Sequence, residues 1–220
     1  MAHQQYKIHP VLANFMRYWL WLFDGTGVKE WAAIHRDHHT HADTRNDPHM
    51  IFYDGSLLTR VKNTSRICLT CIFKGYRGFA SDKQMSKVEY VPQGWIDRHL
   101  RLGTYILLAL NLCLFGWAGI IAWLIQISWV TVCMTLIVAI GGHMVGYHSA
   151  WIDNSRNLFP IGVIASGEEL HHNHHKQPTR ANLRTKWYEF DIGYLYIKFF
   201  NMLGLIQFKQ HFINKQHQSI

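Results

Sequence analysis

The chain has 220 residues, with 22 Lys and Arg, 14 Asp and Glu, 16 His and a formal net charge of +8. That length suits one domain with a real core, so disulfide staples are not required. No run of five or six basic residues and no zinc-finger or helix-turn-helix pattern accompanies the charge, which disfavours nucleic acid as a partner. The mean hydropathy of -0.07 is that of an ordinary soluble protein, but it averages over a very uneven charge distribution. Residues 102–152 contain no Asp, Glu, Lys or Arg, and all the charged residues lie in the remainder.

In chain order, MAHQQYKIHP lacks the apolar core of a signal peptide. Residues 11–23 (VLANFMRYWLWLF) are apolar apart from Arg17. As a helix they would span only about 20 Å, short of a hydrocarbon core of about 30 Å. An interfacial helix is therefore expected there. Residues 29–101 are polar and mixed, with loops and short helices around Gly75, Gly78 and Pro92-Gln93-Gly94. Cys68-Leu-Thr-Cys71 is a lone CxxC, without the second pair that a structural zinc would want, and reads as reduced thiols.

The uncharged run is long enough to cross a bilayer twice. It divides near Gln126 into spans 102–124 and 127–147, with Trp123 and Trp129 beside the divide. Both flanks are net positive, which places them on the cytoplasmic side. Residues 192–208 are mildly apolar and are expected to lie on the membrane. The expected fold is thus all-α and integral to the membrane: a transmembrane hairpin with a cytosolic, histidine-rich helical cap.

Two clusters carry the chemistry. His35-Arg36-Asp37-His38-His39 and His171-His172-Asn173-His174-His175 both contain HxxHH, one on each side of the hairpin. On a helix, residues three and four apart share a face, so each cluster presents three imidazoles to one point. An even number of crossings returns the chain to the same side, where six histidines can converge. More than four neutral imidazoles suggests two metal ions, and imidazole suits Fe, Cu, Ni and Zn alike. HExxH, the pattern of a hydrolytic zinc helix, is absent.

The words around the clusters are more specific. WAAIHRDHHTHADTRNDPH and GEELHHNHHKQPTRANLRTKWYEFDIGY resemble the second and third histidine boxes of membrane fatty acid desaturases, especially the bacterial acyl-CoA type. The resemblance covers nearly the whole chain, so residues 1–220 are expected to form a single desaturase domain. It implies two non-haem iron ions held by His35, His38, His39, His171, His174 and His175. His143 in GGHMVGYH matches a further ligand, and His3 matches the end of the first box. Asp47, His49, Glu168 and Glu169 are candidates to orient the ligating imidazoles, while His41 and His172 fall outside the ligand spacing.

The family's activity implies an oxidoreductase that uses O2 to place a cis double bond in a saturated fatty acyl chain, carried on CoA or on a lipid. Without a GxGxxG fingerprint or a fused haem-binding segment, the electron donor is expected to be a separate redox protein. Membrane lipids complete the partners, and the bacterial cytoplasmic membrane, with the metal site on its cytoplasmic side, is the expected location. A related di-iron hydroxylase and an inactive metal-binding membrane fragment are the alternative readings.

The chain departs from the family in three places. Its first-box histidine and first membrane hairpin would precede residue 1, so the domain reads as incomplete at its N-terminus. The family's Asn four residues before His143 is Ala139, and the Arg that commonly follows Gly-Tyr is His148. Reading the coding DNA upstream of Met1 checks whether a misassigned start explains the first departure. An in-frame HRxxxH-like box preceded by apolar helices is expected; finding neither would refute it.

Overall fold

A computed structural model describes residues 2–44, 46–48, 62, 65–66, 68–70, 72, 80–89, 91, 93–150 and 152–208. The side chains of residues 135, 136 and 139 are not described, which leaves the departure at Ala139 outside what the structure addresses. Cys71 and His49 also lie outside the described residues. The chain divides into two units, one of Ala2 with Asn14–Thr135 and the other of His3–Ala13 with Leu136–Ile220.

In the unit containing Asn14–Thr135 the elements are helical. Helix α1 (Pro10–Phe23) begins in the other unit and continues into this one. Its first residue is proline, which suits that position because no intrahelical N–H is needed there. Arg17 forms an ion pair with buried Asp97, and the Trp21 indole N–H donates to the His99 carbonyl at 2.8 Å. These bonds tie α1 to α4 (Trp95–Arg98) and to the start of α5 (Leu100–Phe115).

Helix α2 (Val28–His41) buries Ala32 and Ala33 against Val88, Val91 and Ala2. Two small residues in succession let the backbone approach its neighbours closely, and the same face buries His35 and His38. Helix α3 (Asp82–Ser86) starts with a reciprocal cap: the Gln84 amide donates to Ser81 Oγ, and the Ser81 amide donates to Gln84 Oε1. The Gln84 side chain then donates to Asp37 of α2.

Helices α5 and α6 (Ala118–Val132) form an antiparallel hairpin. Their boundaries correct the expected division at residues 124–127. The chain turns at Gly116, whose φ of +56° suits glycine, whereas Gln126 lies inside α6. Gln126 needs no exit to water because its Oε1 accepts from Asn111 Nδ2 at 2.7 Å across the hairpin. The Trp123 indole similarly donates to the Thr104 carbonyl at 2.7 Å.

With 16 and 15 residues, α5 and α6 are each about 23 Å long at about 1.5 Å per residue. Among the described residues no helix is long and apolar enough to cross a membrane. The helical path continues past α6 through a π-helical stretch (Cys133–Gly141) into α7 (Gly142–Met144). Cys68, Cys113 and Cys133 are free thiols.

In the unit containing Leu136–Ile220, β1 (Tyr6–Ile8) pairs antiparallel with β4 (Ile206–Phe208), Lys7 opposite Gln207. A second two-stranded sheet joins β2 (Ile161–Gly162) in parallel to β3 (Phe190–Asp191). Asp191 caps α9 (Ile192–Met202) by accepting from the Tyr194 amide at 2.9 Å, and its other oxygen accepts from the Leu183 amide. Between these elements lies the short helix α8 (His171–Lys176), whose residues 171–175 are all buried. The described residues are therefore mostly helical, as expected of an all-α chain, with four short strands that periodicity did not signal.

The hairpin depends on one close approach. A Cβ on Gly119 would lie 2.3 Å from the Asn111 carbonyl oxygen, a backbone atom that cannot swing aside. Gly119→Ala is expected to cost about 1–3 kcal/mol, read as a lower thermal midpoint by circular dichroism in detergent. An unchanged midpoint would contradict the close approach.

Candidate metal centre

The geometry of the third-box segment follows from its burial. Five consecutive buried residues in α8 include four imidazoles, and each ring needs partners for both nitrogens or must leave one for a metal. His171 Nε2 lies 2.9 Å from His143 Nε2. His143, His171 and His175 each offer a ring nitrogen, all within 4.8 Å of one another. On the far side of its ring, His175 Nδ1 donates to Asp153 at 2.7 Å, leaving Nε2 toward the group. His171 Nδ1 lies 4.0 Å from the Glu168 carboxylate. Gly142 is the residue beside which the His171 ring packs: a Cβ there would lie 2.8 Å from the ring.

His174 faces differently. Its ring meets that of His3 edge-on with centroids 5.1 Å apart, and a nitrogen of each lies within 4.8 Å of the other. This unit therefore presents a triad (His143, His171, His175) and a pair (His3, His174).

In α2 of the other unit, His35 and His39 are one turn apart and their Nε2 atoms lie 3.2 Å from each other. Trp31 stacks on His35 at 4.7 Å and fixes that ring. His38 is oriented separately: its Nδ1 donates to the Asp47 carboxylate at 2.9 Å, both groups being buried. The Asp43 amide donates to the same carboxylate at 3.0 Å. This unit presents a pair (His35, His39) and one imidazole anchored from behind.

These distances fit metal ligation. Two nitrogens bound at right angles to one ion, each about 2.1 Å from it, lie about 3.0 Å apart. The 2.9 and 3.2 Å separations match that edge; at such range two imidazole nitrogens are joined either by the N–H of one ring or by a shared cation. Carboxylates behind His38 and His175 set the tautomer that leaves Nε2 as donor to a metal.

Other sequence candidates fall elsewhere. Glu169, expected behind an imidazole, instead accepts from the Ile164, Ala165 and Gly167 amides at 2.6, 2.9 and 3.2 Å. It organises the loop entering α8, because three converging amides satisfy a buried carboxylate better than one ring N–H. His172 is buried against Ser155 and Ser149, at 3.2 and 3.4 Å. Burial holds its imidazole below the ordinary value, aided by the charges of His148 and Lys176 and opposed by that of Asp153. His41 sits half-buried against Asp37.

Sequence reasoning missed Asp153, whose only signal was its place as the first charge after the uncharged run. Burial pushes its carboxyl up, but His175 and the Ser155 amide and hydroxyl outweigh this and pull it down to about 2.

Several known proteins align with nearly all of this chain. A Delta-9 desaturase-like 2 protein of Arabidopsis thaliana is 28% identical over 225 residues, covering 93% of this chain and 67% of the relative. The Delta-9 acyl-lipid desaturase 2 of the same plant is 26% identical over 214 residues, covering 93% and 66%. The sn-1 stearoyl-lipid 9-desaturase of Synechocystis is 31% identical over 188 residues, covering 81% and 54%. Over most of its length the chain is thus similar to fatty acid desaturases. No family model matches it. It spans about two thirds of the length of these plant desaturases and about half of the cyanobacterial one. The histidine groups of this chain are compatible with metal binding.

A second missed carboxylate, Glu189, is held below its ordinary value near 4.5. Burial pushes it up, but the Thr185 and Lys186 amides, with Tyr147 and Asn173, more than offset that. A depressed carboxyl contributes stability above its unfolded pKa and loses it as pH falls through the folded one. The stability difference between the wild-type chain and Glu189→Gln is therefore expected to shrink from about pH 6 to about pH 3. Thermal midpoints across that range measure it, and a constant difference would contradict the assignment.

Proposed function

We propose that the chain is the metal-binding part of a desaturase that introduces a cis double bond into a saturated acyl chain, using O2 and two non-haem iron ions. In this reading the ligands are His3, His143, His171, His174 and His175 from one unit and His35, His38 and His39 from the other. The observation that carries the reading is the pair of short Nε2–Nε2 separations, His143 to His171 and His35 to His39. Ligand counting supports two ions: the eight imidazoles would supply about four to each.

Removing hydrogen from an unactivated methylene is beyond any side-chain acid or base, so the ions and O2 supply the oxidant. The residues of this chain hold and orient. Asp47 and Asp153 accept the Nδ1 protons of His38 and His175, fixing each Nε2 as a ligand and raising its basicity. Trp31 and Gly142 set the planes of His35 and His171 by stacking and by close approach. The relatives' names favour position 9 and an acyl-lipid substrate. Electrons come from a separate redox protein. The apolar outer faces of α5 and α6 and the turn between them, with Leu114, Trp117, Ile121 and Trp129 exposed, suit contact with lipid in an integral membrane enzyme whose metal site faces the cytoplasm.

Two measurements test this. The purified chain is expected to bind two irons, and His171→Ala and His35→Ala are each expected to lower iron content; unchanged content would sink the ligand assignment. With O2 and a reduced donor, acyl products should contain a new alkene. A hydroxylated chain with no alkene would favour the hydroxylase reading, and iron-free, inactive protein the inert fragment.

A further inference from the structure

One buried carboxylate takes no part in the chemistry above, yet touches both segments that bear the triad. Glu189 is 2% exposed and accepts five hydrogen bonds within its own unit. Its Oε1 accepts from the Tyr147 hydroxyl at 2.8 Å. Its Oε2 accepts from the Thr185 amide at 2.5 Å, the Thr185 hydroxyl at 3.1 Å, the Lys186 amide at 2.8 Å and Asn173 Nδ2 at 3.0 Å.

Tyr147 and Asn173 are the informative pair. Tyr147 lies four residues after His143, and its segment is fixed by backbone bonds to Asn157 at 2.9 and 2.7 Å. Asn173 lies within α8, between His171 and His174. Its Nδ2 also donates to the Leu183 carbonyl at 2.9 Å, and its Oδ1 accepts from Asn157 Nδ2 at 3.0 Å. Asn157 Oδ1 in turn accepts from the Asn173 amide at 3.1 Å. Asn173 thus uses both amide hydrogens and its carbonyl oxygen, and rotating α8 about its axis would break these buried bonds. A helix of six residues has little stability of its own, so the direction of its imidazoles is set from outside.

We propose that Glu189 is a positioning residue for the His143–His171–His175 triad: by bonding Tyr147 and Asn173 at once, it fixes the His143 segment against α8. The proposal rests on the metal-binding reading of that triad, but it concerns ring placement, which exists with or without a metal. A carboxylate suits this place because it accepts all five donors, whereas an amide brings hydrogens of its own that clash with some of them.

The test uses the full chain in detergent, titrated with Co(II) and followed by its visible absorption, beside histidine ring 15N spectra of the metal-free protein. Glu189→Gln is expected to weaken Co(II) binding at one of two sites by about 10–100-fold, alter that site's visible bands and leave the other unchanged. Tyr147→Phe, which removes only the hydroxyl, is expected to move the same bands less and covers the case in which Glu189→Gln does not fold. Thr185→Ala loses one bond to the same carboxylate and is expected to lower stability without moving the bands. In the metal-free chain, the ring signals of His143, His171 and His175 should shift in Glu189→Gln and Tyr147→Phe but not in Thr185→Ala. If the wild-type chain binds no Co(II), the metal reading fails and the ring spectra alone decide the positioning role. Ring signals and bands unmoved in a folded Tyr147→Phe or Glu189→Gln would overturn the proposal.

Discussion

The constraint on which the rest depends is the close approach of buried imidazole nitrogens. Two such nitrogens at 2.9 Å, as in His143 and His171, repel unless a proton or a cation lies between them. Every local feature around them holds that approach: a glycine where the ring packs, a carboxylate behind the neighbouring ring, and amide bonds that lock the carrying helix. The loop entering α8 is organised in the same way, by Glu169 gathering three backbone amides.

Much of the site was legible because it is written in local spacing. HxxHH puts imidazoles on one helix face, and α2 places its His35 and His39 as that period requires. The separate direction of His38 also had a sequence correlate, since Asp47 lies in the quoted HRDHHTHADTRNDPH. What spacing could not provide is contact between distant positions. Asp153 meets His175 from 22 residues away and Glu189 meets Tyr147 from 42. Asp153 stands in no pattern that distinguishes it from a solvated surface residue, and Glu189, though inside the quoted third-box stretch, has no spacing that links it to Tyr147. Glu169 shows the converse, a residue in a suggestive motif whose carboxylate serves the backbone.

The fold was legible to the same degree. The uncharged run did become a helical hairpin, but its turn was misplaced because Gln126 looked like a surface signal. Asn111 satisfies that amide across the hairpin, so a polar residue sits mid-helix at little cost. The true turn is marked by Gly116, a weaker signal among 16 glycines. The four short strands were invisible because each has only two or three residues, too few for alternation to register.

The central claim is that imidazoles alone form the protein's ligand set to two ions. X-ray absorption at the iron edge of the reconstituted chain tests this most directly. The account predicts a first shell of nitrogen or oxygen at about 2.1 Å, with the outer-shell scattering of several imidazole rings per iron and no sulfur. A first shell containing sulfur, or one without imidazole scattering, would contradict it.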